Sequence, residues 1–142
     1  NQNKLGEMMK IGRRGSITGY LIVRGDQGHV AYPHDAKNPA PVMVKILNKI
    51  ENIKLDKGTK NFQPSNLEIV KMNIENTADN VIPAEASATF NIRFNNKHSS
   101  NSLKKKFLGR KERAAFSHKL NPRGDIFRKH LRIRSNVSIG SS

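Results

Sequence analysis

Residues 16–24, SITGYLIVR, place Ile17, Leu21 and Val23 on one side of an extended chain, and their β-branched and aromatic content predicts a strand. A helix is predicted next. Asn38 stands as its N-cap before Pro39 at the first helical position, and Met43, Ile46, Leu47 and Ile50 recur at helical spacing for about three turns. Pro41 falls in the first turn, where a missing N–H costs little. Residues 66–74, NLEIVKMNI, predict a second strand whose imperfect alternation calls for a β-bulge or a slipped register. The clearest pattern lies in residues 85–94. There Ala86, Ala88, Phe90, Ile92 and Phe94 alternate with Glu85, Ser87, Thr89, Asn91 and Arg93, giving one apolar and one polar face. Ser102 is the candidate cap of a second helix with Leu103, Phe107, Ala114 and Ala115 on a shared face, in a pattern diluted by Gly109 and six basic residues from Lys104 to Arg113. Leu131, Ile133, Val137 and Ile139 alternate as a last strand. The order β-α-β-β-α-β is that of the ferredoxin-like α+β fold, with both helices on one sheet face.

The 142 residues suit one domain, residues 1–142, with a single core. With 35% hydrophobic residues, a mean hydropathy of -0.66 and no apolar run near the roughly 20 residues that cross a bilayer, a soluble protein without a membrane partner is expected. The chain has neither an initiating Met nor a basic-then-apolar leader, which reads as a processed product or an excised fragment. The absence of cysteine excludes disulfides and thiolate metal sites. A net charge of +15 raises nucleic acid as a partner, but the charge is uneven. Residues 1–100 carry 14 basic against 9 acidic side chains, and residues 101–142 carry 12 against 2, so the basicity belongs to the tail.

Residues 25–34, GDQGHVAYPH, concentrate two histidines, an aspartate and a tyrosine. Helical metal ligation wants histidines four apart, whereas His29 and His34 are five apart among Gly28, Pro33 and Pro39, so turn chemistry accounts for them better than a metal. Ser16 lacks the GxSxG context of a hydrolase nucleophile and leads into a strand. Residues 12–16, GRRGS, lack P-loop spacing, although two arginines there offer planar forks to carboxylates. An RNA-recognition domain would share the element order, but it needs aromatics on the open sheet face, where residues 85–94 show Glu85, Ser87, Thr89, Asn91 and Arg93.

Four pieces, at residues 11–16 (IGRRGS), 27–34 (QGHVAYPH), 38–39 (NP) and 80–83 (NVIP), closely resemble the succinyl-diaminopimelate desuccinylases. These belong to the dizinc amidohydrolase and exopeptidase family that includes aminoacylases and carboxypeptidase G. The resemblance runs in order over about residues 4–100, through residues 91–94 (NIRF). It implies a lid, or dimerisation, domain of four antiparallel strands and two helices inserted into a metal-binding catalytic domain. The catalytic domain would hold two zinc ions and hydrolyse N-succinyl-L,L-diaminopimelate, in lysine and diaminopimelate biosynthesis. None of its metal-ligand motifs is in this sequence, so no cofactor is expected in this chain, and it would be inactive alone.

By the same resemblance His29 matches a histidine that crosses the dimer to help form the partner's oxyanion hole. Arg13, Ser16 and Tyr32 match residues that recognise the carboxylate-bearing parts of the substrate. Asn80 matches another partner-reaching residue, and Arg93 a substrate-contacting arginine. A homodimer through the lid, in the cytoplasm and without a specific nucleic-acid partner, is implied. Residues 101–142 stand as a diverged second half of the lid, an artificial end or a frame-changed C-terminus. The alternative of a different class is a small basic nucleic-acid-binding module of RRM-like topology.

Overall fold

The computed structural model describes residues 14–76, 78–108 and 128–135. Strand β1 (Gly15–Arg24) leads through a short strand β2 (Gly28–His29) and a 3-10 turn at Pro33–Asp35 into helix α1 (Pro39–Glu51). Strand β3 (Asn66–Asn73), a short β4 (Val81–Ile82) and β5 (Glu85–Phe94) precede helix α2 (Ser100–Leu108) and strand β6 (Arg128–Ser135). Four strands form one antiparallel sheet in the order β3-β5-β1-β6, so the first and second long strands are separated by the third, as a split β-α-β unit requires. The ferredoxin-like α+β reading of the pattern is the observed fold.

Period-two alternation sets the register. Ile17 faces Ile92, Leu21 faces Ala88 and Val23 faces Ala86 across β1 and β5, which puts the buried apolar positions of both strands on one side and leaves Tyr20 and Ile22 on the other. Gly19 sits among them, with the Phe90 ring lying directly against it. The predicted irregularity in β3 is a bulge between Ile69 and Lys71. Leu67 and Ile69 before it pack against the core, whereas Val70 and Met72 are exposed.

Both helices cover that apolar side. Asn38 caps α1 as its sequence predicts, Oδ1 accepting from the Ala40 N–H at 3.0 Å, and Val42, Met43, Ile46, Leu47 and Ile50 are buried on the sheet. Helix α2 starts earlier than its expected Ser102 cap. The Ser99 Oγ accepts from the Ser102 N–H at 3.1 Å while the Ser102 Oγ accepts from the Ser99 N–H at 3.0 Å, a reciprocal box in which Ser99 is the cap. Its Leu103 and Phe107 close the core, the Phe107 ring 5.7 Å from Phe90. Leu131 and Ile133 of β6 pack on the core as expected; Ala114, Ala115, Val137 and Ile139 lie outside the described residues. No helix among the described residues is long and apolar enough to cross a membrane.

Candidate functional site

Beyond Arg24 the chain leaves the sheet in a loop whose backbone is tied at several points. Gly25 N–H donates to Ala84 O, and Asp26 and Lys37 exchange two backbone hydrogen bonds of 2.9 Å across the loop's base. A side chain at Gly28 would collide with the Cβ of buried Ala36, so only glycine lets the two arms of the loop approach this closely. The two residues of β2 then pair with β4: Gly28 lies opposite Ile82 and His29 opposite Val81, with Val30 N–H donating to Asn80 O at 3.0 Å. This brings residues 27–34 and 80–83 together, although about fifty residues separate them in sequence.

The His29 side chain is exposed and oriented. Ala31 N–H donates to His29 Nδ1 at 3.0 Å, an arrangement that assigns the proton of the neutral ring to Nε2. The Asn80 Nδ2 lies 3.5 Å from His29 Nε2. The Tyr32 ring, 65% exposed, is 5.9 Å from the imidazole, and Tyr32 N–H donates to His29 O at 3.0 Å. His29, Tyr32 and Asn80 are therefore one group on a surface loop. His34 stays exposed in the 3-10 turn, and no three His, Cys, Asp or Glu side chains converge among the described residues.

The other candidate residues lie at the opposite end of β1. Ser16 and Arg93 are register partners on the sheet face that the helices leave open. Ser16 is 9% exposed and its Oγ accepts from Asn91 Nδ2 at 3.2 Å, while the same amide donates to Thr18 Oγ1 at 3.1 Å. The Arg93 side chain is exposed, opposite Asn66 of β3. Arg14 donates to Asn66 Oδ1 at 3.2 Å and to Pro64 O at 3.4 Å, which occupies one of the two arginines of the GRRGS turn. Arg13 lies outside the described residues. The open face does carry one aromatic among the described residues of β1 and β5, Tyr20, with the Arg134 guanidinium 5.8 Å over its ring.

Sequence reading misses a polar cluster beneath this end. The Asp56 side chain, 6% exposed, accepts through Oδ1 from Gly58 N–H at 2.7 Å, Ser65 N–H at 3.2 Å and Asn95 Nδ2 at 2.9 Å. Its Oδ2 accepts from His98 Nε2 at 2.8 Å. Burial alone would raise the Asp56 pKa; hydrogen bonds from the Ser65 and Asn95 side chains and the Gly58 and Ser65 N–H groups outweigh it and hold the carboxyl well below the usual carboxylate range. The available signal was Asp56-Lys57-Gly58, an Asx-turn ending on a glycine at φ 89°.

Residues 11–117 match the peptidase dimerisation domain family. The succinyl-diaminopimelate desuccinylase of Pelagibacter ubique (strain HTCC1062) is 59% identical over 133 residues, covering 89% of this chain and 35% of that protein. That of Erythrobacter litoralis (strain HTCC2594) is 58% identical over 106 residues, covering 75% and 28%. The chain thus spans about a third of the length of these relatives. Among solved structures, a putative aminohydrolase from methicillin resistant Staphylococcus aureus superposes with a TM-score of 0.63 at 15% identity, over 86% of this chain and 30% of that one. The aminobenzoyl-glutamate utilization protein from Klebsiella pneumoniae does so with 0.61 at 17%, over 85% and 28%. At such identities these structures speak for the fold, and the family match takes in both helices, β1, β3, β5 and the β2–β4 pair that carries His29. The chain belongs to the peptidase dimerisation domain family, as carried by desuccinylase-type amidohydrolases.

Proposed function

We propose that this chain is the lid of a zinc-dependent succinyl-diaminopimelate desuccinylase, that two copies associate through it, and that each copy completes the other's active site. The observation that carries the reading is the separation of the two candidate groups. Ser16 and Arg93 are paired at one end of the β1–β5 ladder, and the loop bearing His29 begins beyond Arg24 at the other. Eight residues of extended strand span roughly 26 Å. A substrate no longer than an extended tetrapeptide, roughly 14 Å, cannot touch both ends of one copy. Both groups act on one substrate if they come from different copies.

The division of labour follows from chemistry. Arg93, beside the Ser16 hydroxyl, offers a bidentate fork to a substrate carboxylate, with Arg13 as a further contact of the kind the family resemblance implies, while Tyr32, on the His29 loop, would reach the substrate from the other copy. His29 presents its Nε2–H to the oxygen that gains charge as the amide carbonyl becomes tetrahedral, so the contact strengthens toward the transition state. Asn80 steadies the ring from beside it. The described residues do not assemble ligands for zinc, which would be held by the catalytic portion of the parent protein.

The dimer surface that fits best is the outer edge of β3. That strand has one neighbour in the sheet, and it exposes Val70 and Met72, with Ile74 just past its end and Val44 of α1 exposed as well. Sedimentation of the chain as a dimer, without salt-sensitive binding to arbitrary DNA or RNA, is the expected result; a monomer that binds nucleic acid in proportion to the phosphates it neutralises would sink the proposal.

A further inference from the structure

We infer that Asp56 is a positioning residue for Arg93: a buried carboxylate that pins the end of β5, from which the Arg93 side chain projects, to the start of β3. The inference rests on the reading of Arg93 as a substrate contact. Arg93 is opposite Asn66 in the β3–β5 register. On the β3 side of that pair stands Ser65, and on the β5 side, one residue past Phe94, stands Asn95. Asp56 Oδ1 holds both, through the Ser65 N–H at 3.2 Å and the Asn95 Nδ2 at 2.9 Å.

The clamp is closed from other directions. The Ser65 Oγ accepts from Asn95 N–H at 3.0 Å, and Asn95 Nδ2 also donates to Gln63 O at 3.1 Å. His98 Nε2 donates to Asp56 Oδ2 at 2.8 Å, extending the tie to the segment that enters α2. Asn95 and Ser65 are buried, at 2% and 8% exposed, so neither can exchange these partners for water. Arg93 is paired with Ser16 on one side and Asn66 on the other, and Arg14 also ties Asn66 and Pro64, but β3 begins and β5 ends here, so no further ladder extends beyond this end. Polar ties therefore set where the guanidinium starts from. A neutral residue at position 56 keeps its shape but weakens every charge-assisted bond to it.

Two measurements test this. In the chain itself, Asp56→Asn should make the amides of Asn66, Phe94 and Asn95 exchange with solvent about tenfold faster, while those of Val23 and Ala86 at the other end of the ladder change less than about twofold. The milder His98→Gln should move the same amides in the same direction by a smaller factor, and it decides the question if Asp56→Asn does not fold. Uniform acceleration along β5, or no local change, overturns the pin. In the intact protein, Asp56→Asn should raise KM about three- to tenfold with kcat within about twofold, because it disturbs ground-state contact to a carboxylate. A fall in kcat at unchanged KM, the signature of fewer folded molecules, overturns the positioning role. Arg93→Lys serves as the reference. If it leaves KM unchanged, the reading of Arg93 fails, and the exchange data still decide whether Asp56 is a local pin.

Discussion

Ala31 fixes the ring of His29: its backbone N–H occupies Nδ1 at 3.0 Å, leaving Nε2–H as the outward donor of an exposed imidazole. Replacing His29 by Ala in the intact protein should lower kcat by about 10²- to 10³-fold with little change in KM, the loss expected for one oxyanion donor. Steady-state kinetics check the split. An unchanged kcat removes the oxyanion role.

If His29 acts across the dimer, its loss can be complemented. Mixing a His29→Ala subunit with one whose zinc site is disabled should restore one working site per mixed dimer, since the intact His29 and the intact metal centre then meet. About half of the mixed population's site capacity is not required; any activity well above that of either parent protein is the expected outcome. Activity that stays at parental levels, with mixed dimers shown to form, contradicts action in trans.

The sheet was legible because its alternation is nearly perfect. Ala86, Ala88, Phe90, Ile92 and Phe94 have no polar interruption, and burial on one face leaves a strand little choice of register. Helix α1 announced itself through Asn38-Pro39. What the sequence hid was polar and non-local. Asp56, Ser65, Asn95 and His98 belong to two segments about forty residues apart, and nothing in a window of either shows that they converge. The pairing of His29 with Val81 is equally invisible to periodicity, because two-residue strands have none. Only the family resemblance placed His29 and Asn80 in one site.

Asp56 sets a limit on acid tolerance. Its folded-state pKa lies below the ordinary carboxylate value, so its contribution is complete above the unfolded pKa of about 4 and is lost as pH falls toward the folded one. Unfolding free energies of the chain should therefore decline as pH drops below about 4, and Asp56→Asn should flatten that decline while costing about 1–3 kcal/mol near neutrality. Urea titrations at a series of pH values measure both. An Asp56→Asn chain with an unaltered acid limb would assign the effect to other carboxylates.

The ring pair at the centre of the core offers a direct packing test. Phe107 of α2 is 1% exposed and lies 5.7 Å from Phe90 at 39°, and with Leu103 it is one of the two buried residues that hold α2 on the sheet. Phe107→Ala should cost about 3–5 kcal/mol, through lost transfer energy and the cavity left beside Phe90. Phe107→Leu, which leaves a smaller void, should cost less. If both cost under about 1 kcal/mol, α2 contributes little to the cooperative unit.

In the proposed dimer the edge of β3 forms the interface. An edge strand that leaves Val70 61% and Met72 57% exposed invites strand addition, and charge on such a strand is the usual means of preventing it. The bulge between Ile69 and Lys71 matters here, because the register change puts Met72 opposite core-facing Ala88, where it is still 57% exposed. Val70 and Met72 are more than half exposed, so Val70→Lys and Met72→Lys should each leave the unfolding free energy within about 0.5 kcal/mol of the parent chain. In a dimer the two copies would place like charges against each other in a water-excluded contact. The double variant should therefore sediment as a folded monomer at concentrations where the parent chain is a dimer, and in the intact protein it should lose kcat together with the dimer, since His29 no longer reaches a partner. A double variant that remains dimeric moves the interface away from β3, while one that is monomeric yet fully active would separate dimerisation from catalysis.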